Sequence, residues 1–482
     1  MAGMQVTMRR PSVNCKTPRN PSSLAQAATS RNEYTFVELS HALRKLSLVA
    51  DELMEEGLVM PERRFRVLTI ASHPIQYAAP LFRLLAQQRV LDFQVAFCSL
   101  RGAEAAHDPE FGRSVKWDVP LLDGYRWTHM PNRGSGRESF LGLYNPDLWA
   151  LIRDGQFDAV VCQLSYLRCS FWIAYFAARY HRAVFLFGTD ASSREPRDGR
   201  KWKLAFKNVA WPLLFRLSSQ VLTASTSGRD MMRSLGIPAD RISMTLDTVD
   251  NDWWRTQAER VDRAAVRQSW GLGPDEKVVL FCAKLQPWKR PLDVLRAFAA
   301  ADIPRSTLIF AGDGALRLTI EAEATMLGVS SRVRCLGFVN QSQLPGVYRA
   351  SDIMVISSEY EPFGLVVNEA MLCDCVVVAS SKVGAVGNLV SHGRTGFVYP
   401  CGDIQGLSHL LAKALSDPTQ LRDIRRAARE RIEGWSPQAS ASALAEAVVQ
   451  AISRSRRTPE GTKMVISDTT APKRSLTDRS RS

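Results

Sequence analysis

Nowhere in its 482 residues does this chain run for 18 positions without a charged side chain. That leaves no segment of the kind that crosses a bilayer as a helix, which needs about 20 mostly apolar residues. One strongly apolar run, Cys169 to Ala178, is cut off by Arg179, His181 and Arg182. The opening residues also lack the apolar core of a secretory leader. Cysteines do not pair by spacing: there are nine, an odd number, scattered through apolar segments with no Cys-x2-Cys repeat. Cys373-x-Cys375 alone makes a poor metal signal, so the thiols read as reduced and the expected location is the cytoplasm. Acidic residues are missing from 1–32, which carries five bases, while 453–482 carries eight bases and three acids. Each end therefore holds +5 of the net +14, leaving only +4 for the body. A protein built around a basic face would concentrate charge in its folded part, so no nucleic-acid partner is expected.

What is present is an ordinary globular balance, 45% hydrophobic with a mean hydropathy of −0.13, and enough length for two domains. Residues 1–32, rich in Ser, Pro, Asn and Arg, read as a disordered basic tail. Residues 33–60 read as a helical extension, with Phe36, Leu39, Leu43, Leu46, Ala50 and Leu53 at alternating spacings of three and four. That seam either packs on the body or forms a dimer contact. Across 61–252, strand-like runs at Phe65–Ala71, Phe93–Ser99, Ala159–Leu164, Ala183–Phe187 and Gln220–Ala224 alternate with helical stretches. Such alternation predicts a parallel, doubly wound sheet. Residues 253–276 read as a linker, and 277–435 repeat the alternation from a strand at Val278–Ala283 to a later one at Cys373–Ser380. A helix over 436–452 and a basic tail over 453–482 complete the chain.

The most informative stretch is Ser357 to Glu369, Ser-Ser-Glu-Tyr-Glu-Pro-Phe-Gly-Leu-Val-Val-Asn-Glu. It follows the apolar run Ile353–Ile356 and turns helical after Pro362 and Gly364. A strand, a tight turn and a helix start present free backbone N–H groups at the strand's C-terminal edge, where an anion can sit. With Glu361 in the turn and Glu369 about two helical turns in, both carboxylates face one cleft near that helix start, and carboxylates suit sugar hydroxyls rather than phosphate. The bland alternative is an acidic first turn favoured by the helix dipole.

Other loops stand where functional loops of doubly wound sheets belong, at strand C-terminal ends. Lys284 and Lys289 follow the strand at Val278, in Lys-Leu-Gln-Pro-Trp-Lys. Gly312-Asp313-Gly314 follows Leu308–Ala311. His73, in His-Pro-Ile-Gln-Tyr, follows the first strand, and Asp190 ends Gly-Thr-Asp; each suits either an acceptor contact or a turn. Residues 197–216 are basic and amphipathic, which fits either peripheral contact with anionic lipid or a surface helix whose apolar stripe faces its sheet. Asp250-Asn251-Asp252 looks like a metal motif but falls at the interdomain boundary, and no metal site is expected there.

Taken together, the segment around Glu361 resembles the Glu-x7-Glu signature of retaining glycosyltransferases of GT-B fold, specifically family four (glycosyl transferases group 1). The resemblance runs from about Val278 to Ile452 and more weakly from Val67 to Asp252. It implies an α/β fold of two Rossmann-like doubly wound domains facing a central cleft, with 436–452 crossing back to the first. It also implies that Lys284, Lys289 and Glu361 serve catalysis, that Gly312, Phe363, Gly364, Leu365 and Glu369 bind the donor, and that His73 and Asp190 lie on the acceptor side. The expected partners are a nucleotide-sugar donor and a glycan or lipid-linked acceptor, with no cofactor and no metal, on or near the inner face of the membrane. The chain departs from the family at several points. Lys284 stands where Arg is usual, Asn388 where Glu is usual, and Asp374 and Val376 where Gly and Pro are usual. There is also no Gly-Gly after the first strand and no His near Gly188–Asp190, although a bacterial subset of the family shares a His-Pro-Ile-Gln-Tyr opening. Two other readings stand beside sugar transfer: a nucleotide-sugar epimerase of the same fold, and a non-catalytic scaffold that binds membrane or nucleic acid through its basic ends.

Overall fold

A computed structural model describes residues 63–108, 112–195 and 200–457. The readings of 1–32, of the helix at 33–60 and of all but the first five residues of 453–482 lie outside the described residues.

In chain order the first half runs β1 (Phe65–Ala71), α1 (Ala78–Gln87), β2 (Leu91–Phe97), β3 (Ala106–Asp108), β4 (Arg113–Val115), β5 (Arg126–His129), α2 (Leu148–Gly155) and β6 (Ala159–Cys162). It continues with α3 (Cys169–Tyr180), β7 (Val184–Thr189), α4 (Lys201–Arg216), β8 (Gln220–Thr223), α5 (Thr226–Ser234), β9 (Ile242–Met244), α6 (Asn251–Glu259) and α7 (Arg263–Ser269). The second half runs β10 (Lys277–Cys282), α8 (Pro291–Ala301), β11 (Ser306–Ala311), α9 (Arg317–Met326), β12 (Val333–Gly337), α10 (Leu344–Ala350) and β13 (Ile353–Ile356). After these come α11 (Val366–Leu372), β14 (Val376–Ser380), β15 (Phe397–Tyr399), α12 (Ile404–Ser416), α13 (Pro418–Glu433) and α14 (Pro437–Arg457).

Two parallel sheets result. The first has the order β5-β2-β1-β6-β7-β8-β9 and the second β12-β11-β10-β13-β14-β15. The second is the 3-2-1-4-5-6 order of doubly wound folds, and the first repeats it with one strand added. In such sheets the order reverses once, and a crevice opens there at the C-terminal strand ends. The reversals lie between β1 and β6 and between β10 and β13. Strands such as Val67–Ile70, Ala159–Cys162, Val278–Phe281 and Ile353–Val355 are buried on both faces, which is why they read as apolar runs broken only by Thr69.

Three stretches differ from what the sequence suggests. Residues 253–276 are no open linker: α6 and α7 occupy most of them, and Trp254 and Leu272 pack into the core of the second sheet. Their polar outer faces hide that anchoring. The strand expected from Cys373 begins only at Val376, because Asp374 takes a left-handed φ of 60° and turns the chain first. The final helix continues to Arg457, past the expected start of the tail. Its Ala441, Leu444, Ala445, Val448 and Ile452 pack with Val67, Phe82 and Leu222 of the first sheet's core, so this helix returns to the lobe where the described fold begins.

Candidate functional site

The second sheet builds its side of the crevice from the loops after β10, β11 and β13. Gly312 has φ 153° and lies against the β10 loop so closely that a Cβ there would sit 1.9 Å from the Ala283 carbonyl oxygen. Its N–H donates to the Gly337 carbonyl, and Leu285 N–H donates to the Asp313 carbonyl at 2.9 Å, so the β11 turn holds the lysine loop in place. From β13, the Ser357 hydroxyl donates to the Lys289 carbonyl at 2.7 Å, and Glu359 N–H donates to the Trp288 carbonyl at 2.9 Å. The two loops are thereby stitched together, and Lys289 Nζ pairs directly with the Glu361 carboxylate, which also accepts from the Ser358 hydroxyl at 3.2 Å. Gly364, at φ 96°, closes the turn where a Cβ would press on Ile356 and the Glu361 side chain at 3.0 and 3.1 Å. No side chain caps α11, so the N–H groups of Gly364 and Leu365 lie at an open helix start.

Not every expected residue joins this group. Lys284 leaves the same loop as Lys289 but meets Asp108 of the first lobe, at 3.1 Å. Phe363 is buried and stacks on Trp435, with ring centroids 5.4 Å apart, so it anchors the turn rather than lining the crevice. Glu369 sits one turn into α11, not two, because the helix begins at Val366. It is 8% exposed and accepts from the buried Tyr348 hydroxyl at 2.7 Å, on the core side of α11. Burial pushes its carboxyl up to about 7, against the pull of the Tyr348 hydrogen bond.

Across the crevice lies a cleft of about 590 Å³. His73, Tyr77, Asp190 and Asp247 line it from the first lobe, Tyr360, Pro362 and Leu365 from the second, and Ser440 and Leu444 from α14. His73 follows β1 and Asp190 follows β7, as their strand-end positions imply. The His73 ring is bonded to the Ser72 hydroxyl at 2.9 Å, and burial followed by the nearby Arg101 lowers its pKa to about 4. It is therefore a neutral imidazole at physiological pH, suited to orienting a hydroxyl and ill suited to carrying a proton.

Asp247 has no local sequence signal except its place just beyond β9. Its backbone carbonyl accepts from Trp435 Nε1 at 2.7 Å and from the Asn368 amide at 3.1 Å, which hangs this loop of the first lobe on the second. Desolvation first, and then the neighbouring Asp190, raise its carboxyl well above the usual range. Desolvation raises Asp190 as well, although Asp190 is exposed at the cleft surface. Both carboxylates with the Tyr77 hydroxyl form an acidic wall. The nearby Asp250-Asn251-Asp252 has a structural role. Asp250 caps α6 by accepting from Trp253 N–H at 3.0 Å, and the Asn251 amide donates to the Ile432 carbonyl at 3.2 Å. Asn388 is also structural: its side-chain oxygen accepts from the Thr226 hydroxyl at 3.0 Å, tying the lobes together.

Two doubly wound sheets with their switch-point loops turned to one cleft define the GT-B architecture. Comparison with solved structures agrees: the Anabaena protein HepE, solved with UDP and glucose, covers 80% of this chain and is itself covered fully, with a TM-score of 0.62 and 21% identity. A sucrose-phosphate synthase of Thermosynechococcus elongatus matches with a TM-score of 0.60 and 19% identity over 81% of this chain and all of its own. Residues 262–431 match the family described as Glycosyl transferases group 1. Among curated relatives, a D-inositol 3-phosphate glycosyltransferase of Thermobispora bispora is 34% identical over 254 residues, 49% of this chain and 57% of its own. An uncharacterized glycosyltransferase of Methanocaldococcus jannaschii is 34% identical over 38% of this chain and 47% of its own length. The chain spans about half the length of the curated relatives it matches.

Proposed function

We propose that the protein is a retaining glycosyltransferase that moves a sugar from a nucleotide-diphosphate-sugar to a hydroxyl of a glycan or lipid-linked acceptor. The observation that carries this reading is the Lys289–Glu361 pair beside the open start of α11, at the β10/β13 switch point and facing an acidic cleft wall. When the anomeric C–O bond breaks, its electron pair leaves with the diphosphate and positive charge grows on the sugar ring. Lys289, and Lys284 once released from Asp108, stabilise the leaving diphosphate, so the reaction needs no divalent cation for that purpose. Glu361 orients the donor sugar. The N–H groups of Gly364 and Leu365 meet the diphosphate, and Glu369 supports the ribose end from behind α11. Attack by the acceptor oxygen from the face the diphosphate leaves retains the anomeric configuration, as the family resemblance implies.

Asp190, with Asp247 behind it, receives the acceptor hydroxyl, and the neutral His73 fixes its direction. Two carboxyls that already disfavour each other's ionisation would be disfavoured further beside a phosphate, which favours a neutral polyhydroxyl acceptor. The name of the Thermobispora relative makes inositol 3-phosphate the natural comparison compound, and HepE makes UDP-linked sugars the first donors to screen. Incubation with donor alone tests the epimerase alternative through the appearance of sugar isomers. Removal of 1–32 and 458–482 tests the scaffold alternative, because a transferase keeps its turnover.

One observation favours contact with a membrane surface as well. Trp202, Phe206, Val209 and Leu213 recur at helical spacing along α4 and are 63%, 60%, 70% and 62% exposed. Only Trp211, Leu214 and Phe215 of α4 are buried against the sheet. The apolar stripe thus faces outward beside Lys201, Lys203 and Lys207, a composition that suits anionic headgroups. Among the described residues no helix is long and apolar enough to cross a membrane. Co-sedimentation with vesicles containing phosphatidylglycerol, compared between the wild type and Trp202→Ser/Phe206→Ser, tests the contact; equal binding of both would remove it.

A further inference from the structure

A second pocket, of about 480 Å³, opens on the second lobe away from the cleft. Arg422, Arg425, Arg426 and Arg429 of α13 reach it from positions i, i+3, i+4 and i+7, one stripe of the helix, and Arg263 of α7 and Arg349 of α10 complete it. Four like charges along one helical face repel each other, and helix formation alone gives no reason for them. Six arginines line the pocket with two acids, Asp374 and Glu430, while Asp352 and Asp423 reach arginines from outside its lining.

Asp374 is held in an arrangement with a cost. Its φ of 60° is one that glycine adopts freely and an L side chain does not. Its carboxylate takes Arg349 at 2.7 Å and also pairs with Arg429, while its carbonyl accepts from Arg425 Nε at 2.9 Å. Asp352 holds Arg263 at 2.5 Å from below. These contacts fix four guanidinium groups around the opening. Arg426 meets only Asp423 of its own helix, at 3.1 Å, and no ion pair holds Arg422 among the described residues.

Asp352 and Asp374 stand just before β13 and β14, at the N-terminal edge of the sheet. The cleft lies at the opposite edge, so this pocket is no extension of the donor site. No large apolar side chain of α7, α10 or α13 is exposed beside it, which argues for a soluble ligand rather than a lipid surface.

We propose that this arginine pocket binds a small soluble anion carrying two or more phosphate groups. Planar guanidinium forks match phosphate oxygens in pairs, and a preset ring of them binds several phosphates better than one. The test is calorimetric titration of inorganic tripolyphosphate into the full chain, the Arg422→Ala/Arg426→Ala variant and the Lys284→Ala/Lys289→Ala variant. Both arginines are exposed, so the first variant keeps the wild-type Tm. The expected result is binding weakened by at least about tenfold in the arginine variant, with this binding retained in the lysine variant. Affinity within about twofold of wild type in the arginine variant would overturn the proposal, as would a wild type that takes up no tripolyphosphate. Arginine-dependent binding to phosphatidylglycerol vesicles in the absence of tripolyphosphate binding would overturn the soluble source.

Discussion

The two walls of the cleft are built on different principles. The second-lobe wall is neutralised and stitched: Lys289 pairs with Glu361, Ser357 ties the two loops, and Gly312 and Gly364 hold close approaches that a side chain would block. The first-lobe wall carries Asp190, Asp247 and Tyr77 turned toward solvent in the cleft, with raised carboxyl pKa values and a histidine kept neutral. A rigid, preset wall suits a ligand of fixed chemistry such as a nucleotide diphosphate. A wall of carboxyl and hydroxyl groups that resist ionising together suits a hydroxyl-bearing partner whose shape varies. The contrast assigns donor and acceptor to opposite sides.

The largest effect that sharpens this contrast is expected at Lys289. Lys289→Ala should lower turnover about a hundred- to a thousandfold, roughly 3–4 kcal/mol of barrier, with the fold intact. Steady-state kinetics on the variant check it, and a loss of less than about fivefold would break the assignment of the donor wall.

Next comes the buried carboxyl behind that wall. Because the folded pKa of Glu369 is raised from 4.5 to about 7, its contribution to stability is fully present below pH 4.5 and is lost as pH rises through 7. Glu369→Gln, which keeps a partner for Tyr348, should therefore gain about 2–3 kcal/mol over wild type between pH 4.5 and pH 8. Urea unfolding of both proteins at the two pH values measures the difference, and a gap independent of pH would contradict the burial argument.

On the opposite wall, Asp190→Asn should cost roughly tenfold or more in kcat/KM for the acceptor while leaving donor affinity unchanged. The acid limb of the wild-type pH profile should also lie above the ordinary carboxylate range, since both acids are shifted up. Donor affinity falling together with acceptor kinetics would merge the two walls into one. The smallest effect belongs to the bridge between lobes: Asp108→Ala frees Lys284 from a partly exposed ion pair worth about 0–1 kcal/mol. Donor affinity should rise by no more than a few fold, and a fall would show that the pair holds the closed arrangement instead.

Much of the fold was legible because parallel strands buried on both faces write themselves as apolar runs. Ile353–Ile356 and Phe65–Ala71 have the bounds the sequence suggests. The hairpin of β3 and β4 was not legible: its strands are three residues each and mostly polar, yet it delivers Asp108 to Lys284. Nor was the anchoring of 253–276, where the amphipathic helices α6 and α7 show a polar surface around Trp254. Of the site, the Lys289–Glu361 meeting could be anticipated from strand-end placement although 72 residues separate the two. Glu369 could not, because whether a helical carboxylate faces a cleft or a core depends on where the helix begins, and one turn decided it. Asp247 was invisible for another reason. What places it is a pair of hydrogen bonds from Trp435 and Asn368, far along the chain, and no local pattern records them.

The central claim is that the lysine-bearing loop after β10 receives the donor's diphosphate. Calorimetric titration of a nucleoside diphosphate such as UDP into the wild type and Lys284→Ala/Lys289→Ala tests it most directly. The account predicts affinity weaker by about a hundredfold in the variant, which remains folded. Affinity within about twofold of wild type would contradict it.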